Sequence, residues 1–103
     1  MGRKASTATR LVFQAFLDAP SDETYGFALA EATGLPSGTI YPILRRLEDE
    51  GFVKSRWAGV ETRGQRRRRR YYELTGEGRR AAQAATAEQR QALRLLAPGW
   101  VSG

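Results

Sequence analysis

The sequence predicts a mainly α-helical α+β domain: a helical unit carrying one small β-hairpin, followed by a long C-terminal helix. Three observations support this. Apolar residues recur at helical spacing between Leu11 and Leu47, the period changes to strand-like alternation across residues 52–74, and an Ala-, Gln- and Arg-rich stretch runs from Thr75 to Ala97. A length of 103 residues fits one domain.

Leu11, Val12, Ala15, Phe16 and Leu17 form the apolar face of a first helix, which Ser6 or Thr7 caps and Ala19-Pro20-Ser21-Asp22 ends. A shorter second helix fits Tyr25 to Thr33, with Phe27, Leu29, Ala30 and Ala32 as its apolar side and Gly34 as its C-terminal glycine. The tight turn Gly34-Leu35-Pro36-Ser37 leads into a third helix that runs to about Glu50. Its buried stripe is Ile40, Ile43, Leu44 and Leu47. Pro42 lies just past its first turn and is expected to cost one hydrogen bond and a slight bend.

Phe52–Trp57 and Arg70–Leu74 alternate and are rich in aromatic or β-branched residues, so they read as two antiparallel strands. Ala58 to Arg69, polar and containing Gly59 and Gly64, reads as the loop between them. Thr75 caps the final helix, which Pro98-Gly99 ends. Helix, helix, turn, helix, hairpin, long helix is the order of a winged helix-turn-helix. Residues 1–74 are expected to form that domain and residues 75–103 a C-terminal dimerisation helix and tail, together one compact unit.

The chain has no cysteine and no histidine, which excludes disulfides, thiolate nucleophiles, Cys/His zinc sites and histidine-based catalytic relays. Its eleven acidic residues show no paired arrangement around a pocket motif, so no catalytic residue, metal or cofactor is expected, and no enzymatic activity. No apolar run is long enough to span a membrane and no signal peptide is visible, so a cytoplasmic location is expected. The net charge of +6 is unevenly distributed: residues 51–80 hold ten basic and three acidic side chains, whereas residues 1–50 hold five basic and seven acidic. A positive field concentrated on the hairpin points to a polyanion, most simply nucleic acid.

The strings Tyr25-Gly26, Leu29-Ala30, Gly34-Leu35-Pro36-Ser37-Gly38-Thr39-Ile40-Tyr41-Pro42-Ile43-Leu44-Arg45-Arg46-Leu47-Glu48 and Gly51-Phe52-Val53 resemble the PadR family of transcriptional regulators. Arg70-Tyr71-Tyr72-Glu73-Leu74-Thr75 with Gly78 matches that family's return strand and the start of its next helix. The single short C-terminal helix is similar to the family's compact branch. The resemblance implies a dimeric, usually repressing, DNA-binding protein released from its operator by a small molecule. The wing departs from the family pattern, with Gly64-Gln65 and five consecutive arginines where relatives carry a brief Gly-Arg-Pro-Arg-like stretch.

On a helical wheel the stripe of the third helix leaves Gly38, Pro42, Arg45 and Asp49 opposite the core, with Tyr41 and Arg46 on the flanks. Glu48, Asp49 and Glu50 make its last turn acidic and repel phosphate. The helix should therefore meet a major groove by its N-terminal half, through Ser37, Gly38, Thr39, Tyr41, Pro42, Arg45 and Arg46. The competing reading packs Tyr41 into the domain and pairs Arg45 with Asp49. Arg63, Arg66, Arg67, Arg68 and Arg69 are the expected wing contacts, with the solvated loop tip as alternative; Arg70 falls on the inward side with Tyr72 and Leu74.

In the last helix Ala82, Ala85, Gln89, Ala92, Leu93 and Leu96 form a stripe expected to pair with a second copy, giving a homodimer on a palindromic double-stranded DNA site. Folding back on its own domain is the alternative. Trp100 is a candidate contact for an unknown, aromatic effector, in a slot that Trp57 could also line at the dimer interface; the alternative makes Trp100 a packed or frayed tail residue and Trp57 a core residue of the wing, and Trp57 is read as core. Non-specific coating of nucleic acid, and a protein–protein module on the same scaffold, are the competing functions.

Overall fold

The computed structural model describes residues 6–96, so Trp100 and the rest of the tail lie outside the described residues. The elements run α1 (Thr7–Asp18), β1 (Glu23–Tyr25), α2 (Gly26–Thr33), α3 (Ser37–Asp49), β2 (Val53–Thr62), β3 (Gln65–Leu74) and α4 (Gly76–Leu96).

Ser6 is the α1 cap: its hydroxyl oxygen accepts from the Thr9 backbone N–H at 3.1 Å. The buried face of α1 is Thr9, Val12, Phe13, Ala15 and Phe16. Phe13 joins the core, whereas Leu11, expected there, is 39% exposed. The second helix begins one residue later than expected, because Tyr25 belongs to β1. Leu29 is its buried anchor; Phe27, expected on its apolar side, is 62% exposed. The stripe of α3 is buried as its spacing requires, and the helix is continuous through Pro42. It ends in a Schellman arrangement, with Phe52 N–H bonding to Leu47 O (2.9 Å) and Gly51 N–H to Glu48 O (3.1 Å).

The sheet has three antiparallel strands in the order β1-β3-β2. Two features differ from expectation. The short strand β1 pairs Glu23, Thr24 and Tyr25 with Glu73, Tyr72 and Tyr71. The hairpin is far longer than expected: its register runs from Val53↔Leu74 to Thr62↔Gln65, so the twelve residues read as a loop are mostly strand. The physical reason is the turn. Arg63 and Gly64 both adopt positive φ (53° and 76°), the two-residue form whose twist matches that of the flanking strands.

Thr75 caps α4 through Gly78 N–H (3.0 Å) and also donates its hydroxyl to Gly51 O at 2.7 Å. The first half of α4 then packs on the core that α1 shares, with Ala82 fully buried, Thr86 buried and Ala85 partly so. This corrects the expected dimer stripe: Ala82 and Ala85 are engaged within their own chain. The remaining members Gln89, Ala92 and Leu93 are exposed, and Leu96 is the last residue of the helix.

Candidate nucleic-acid interface

The N-terminal half of α3 projects from the fold with its polar side free. Ser37, Gly38, Tyr41, Pro42 and Arg45 are exposed and Thr39 is half-buried. Tyr41 remains 46% exposed, with its ring lying across the start of α2. A Cβ placed on Gly26 would fall 2.5 Å from the Tyr41 hydroxyl and 2.6 Å from the ring, so glycine at that position lets the phenol lie where it does. Arg45 makes no ion pair with Asp49 among the described residues. Arg46 differs from the rest of the set. It is exposed as well, but its guanidinium donates to Thr9 Oγ1 at 2.6 Å, which ties it to α1.

The wing arginines divide between the two faces of the hairpin because successive strand side chains alternate. Arg68 lies over the Trp57 ring at 5.0 Å, on the face turned toward the helices, while Arg69 lies over Tyr25 at 4.1 Å on the other. Arg63, Arg66, Arg67 and Arg68 are exposed. None of these, nor Arg69, is ion-paired among the described residues, so their charge is available to an external anion. The four ion pairs that do form lie toward the base of the sheet and around it. The tightest joins Arg56 to Glu23 through two hydrogen bonds of 2.6 and 2.7 Å, and the Arg56 guanidinium holds the Glu23 carboxyl below its ordinary value.

The start of α3 and the hairpin meet at an open groove lined by Tyr25, Gly26 and Phe27 from the β1–α2 junction, Tyr41 from α3, and Trp57, Arg68, Arg69, Arg70 and Tyr72 from the hairpin. Of the expected contacts, Tyr41, Arg68 and Arg69 line this groove, and Arg63, Arg66 and Arg67 do not. Trp57 is here a correction. It is 52% exposed at the side of an open groove, with the guanidiniums of Arg68 and Arg70 against its ring. Tyr72, opposite, is buried, and burial pushes its phenol above the ordinary value.

Gly26 and, as an anchor, Glu48 were not legible as site residues in the sequence, and Trp57 was weighed as one but read as core. Strand parity carried the available signal for Trp57, since Trp57 pairs with Arg70 and shares the inward face with it. Glu48 gave none, because its partners Ser55 and Arg70 lie across a chain reversal.

No curated protein matches the chain by sequence. Among solved structures, a PadR family transcription regulator from hypervirulent Clostridium difficile is 25% identical, covers 88% of this chain and 95% of its own, and superposes with a TM-score of 0.73. The protein smu.1704 from Streptococcus mutans is 26% identical over 100% of this chain and 95% of its own, with a TM-score of 0.69. BpsR of Bordetella bronchiseptica, whose DNA binding is regulated by 6-hydroxynicotinic acid, shares the fold at 19% identity and a TM-score of 0.69; the alignment spans 88% of this chain and 64% of BpsR. The profile of the Transcriptional regulator PadR-like family matches residues 21–84, from just before β1 through α2, α3 and the hairpin into the core-packed half of α4. With that match over more than half its length, the chain belongs to the PadR-like family of transcriptional regulators.

Proposed function

We propose that the protein is a sequence-specific repressor that binds double-stranded DNA as a homodimer in the cytoplasm and is released by a small aromatic effector. The observation that carries this reading is the pairing of an exposed α3 N-terminal half with unpaired wing arginines across one groove. Ser37, Thr39, Tyr41 and Arg45 face base edges and phosphates in a major groove; Gly38 and Pro42 let the backbone approach closely. Arg63, Arg66, Arg67, Arg68 and Arg69 engage the flanking backbone and minor groove, where narrow A·T-rich tracts attract arginine.

Dimerisation through the exposed part of α4 gives two such surfaces and therefore a palindromic site. The effector rests on the family and on the fold shared with BpsR, with Trp100 as the candidate contact.

Anisotropy titrations with the gene's own upstream duplex and a scrambled duplex, at two salt concentrations, test the reading. A repressor keeps a large cognate preference as salt rises, while both affinities fall because the counterions released from phosphates gain less entropy in a more concentrated salt solution. Near-equal affinities that salt abolishes would instead support a nucleic-acid coat, which the wing's arginine run favours. Tyr41→Ala is expected to lower cognate affinity by about 1–3 kcal/mol, the worth of a base-edge contact, and to leave scrambled binding unchanged. Equal losses on both duplexes argue against base readout by Tyr41. Adding planar aromatic acids to the same titration reads release, and a panel that leaves cognate binding intact removes the effector from the proposal.

A further inference from the structure

Of the three acidic residues that end α3, Asp49 and Glu50 face solvent and Glu48 does not. Glu48 Oε2 accepts from Ser55 Oγ at 2.6 Å and Glu48 Oε1 accepts from Arg70 Nη2 at 3.0 Å. Arg70 closes the ring by donating to Ser55 Oγ from Nε (3.0 Å) and Nη2 (2.8 Å). Ser55 is on β2 and Arg70 on β3, so one carboxylate at the end of the recognition helix holds both strands of the wing. The same guanidinium lies 5.5 Å from the Trp57 ring centre and 5.7 Å from that of Tyr72. Arg70 is therefore occupied by protein on several sides.

The position of this ring along the hairpin gives it leverage. Along β3, Leu74 and Tyr72 are buried, Arg70 is half-buried, and residues 65–68 are exposed. Beyond the ring, no residue described in the hairpin is buried, so the outer wing is aimed from here. Arg70 is five residues from the Gln65 end of β3, a lever of about 17 Å at roughly 3.4 Å per residue. A swing of about 10° at the ring moves the tip by roughly 3 Å, half the ~6 Å width of a minor groove.

We propose that Glu48, Ser55 and Arg70 form a clamp that sets the angle between recognition helix and wing, and so determines cognate specificity. Glu48 and Arg70 act as positioning residues and do not touch DNA. This rests on the DNA-binding reading above, and it makes a prediction whose sign is opposite to that of charge alone. Glu48→Gln removes a negative charge beside the DNA-facing surface. Electrostatics alone then tightens binding to every duplex. Loss of the clamp instead weakens cognate binding.

The test compares Glu48→Gln with Glu50→Gln, which removes the same charge two residues away from an exposed side chain that has no ion pair among the described residues. The ratio of cognate to scrambled affinity is expected to fall at least tenfold for Glu48→Gln and to stay unchanged for Glu50→Gln. Arg70→Lys keeps the charge and loses the fork; it should reproduce the loss of ratio without changing the salt slope. Should Glu48→Gln unfold, as a thermal melt would report, Ser55→Ala removes only the bridging hydroxyl and takes its place.

A second readout needs no DNA. In a Trp100→Phe background Trp57 is the only tryptophan, and Glu48→Gln should raise its quenching by acrylamide at least 1.5-fold as Arg70 leaves the ring. Equal tightening on both duplexes by Glu48→Gln and Glu50→Gln, or unchanged Trp57 quenching, overturns the clamp. A wild-type protein with no duplex preference instead overturns the sequence-specific reading, and the quenching result still decides whether the clamp holds the wing.

Discussion

Tyr41 lies where two elements meet, and its freedom to read DNA depends on a residue fifteen positions earlier. The phenol crosses the α2 start at Gly26, and a methyl group there would overlap the hydroxyl and the adjacent ring carbons. What such a methyl displaces is the far end of a side chain that is already half in solvent, so the fold has an inexpensive escape: the ring swings out. Gly26→Ala is therefore expected to leave the melting temperature within about 3 °C of wild type while lowering cognate DNA affinity at least fivefold, as in a mild form of Tyr41→Ala. A large fall in melting temperature would mean that Gly26 serves the backbone and not the tyrosine. The exposure of Gly38, Pro42 and Arg45 was legible from the helical wheel, which also set Tyr41 on the flank, because four apolar residues leave only one way to orient α3. The turning of Arg46 toward Thr9, and the anchoring of Glu48, depend on which elements come to lie beside α3, and no local pattern encodes that.

At the scale of elements, the hairpin was legible at its base and misread toward its tip. Phe52–Trp57 and Arg70–Leu74 carry the aromatic and β-branched residues that half-buried strands favour. Ala58–Thr62 and Gln65–Arg69 have little apolar surface to bury, so hydrophobic alternation cannot report them. Pairing across a tight turn extends the ladder without it, and cross-strand partners such as Glu61 and Arg66 are of opposite charge. The start of β1 was missed for a similar reason, since three residues give no period.

The junction of wing and α4 depends on close approach. A Cβ on Gly78 would overlap the Phe52 carbonyl, which belongs to backbone and cannot move aside alone. Gly78→Ala should therefore destabilise the fold by about 1–3 kcal/mol, the usual range for overpacking. Gly76→Ala, two residues earlier, meets nothing nearer than Arg80 Nη1 at 3.9 Å and should be neutral or slightly stabilising. Urea unfolding of the two variants side by side checks this, and equal midpoints would show that the first turn of α4 is not packed as tightly as the geometry requires.

Taken whole, the molecule is elongated, 55 × 33 × 24 Å, and α4 supplies much of the asymmetry. Its buried residues are Gly78, Ala82 and Thr86, and every described side chain from Ala87 to Leu95 is exposed. Two different uses therefore divide one helix: its first half completes the core, and its second half leaves the domain. Composition alone could not show where that division falls, because alanines at 82, 85 and 92 read alike as a stripe until α1 is found lying against the first two. A helical segment of about ten residues without packing is marginal in water. Leu93 and Leu95, 55% and 76% exposed, are apolar surface left open among the described residues. A second copy meeting this segment with its own would bury Leu93 beside Ala92 and Gln89 on both sides of a two-fold axis. Leu93→Glu should then convert a dimer to a monomer in sedimentation equilibrium, because two buried carboxylates would face each other across the axis. It should cost far more affinity on a full palindrome than on a half-site, since each recognition helix is itself untouched. A wild-type chain that sediments as a monomer at tens of micromolar, or a variant that loses half-site binding equally, would place the symmetry of the DNA-bound assembly somewhere other than α4.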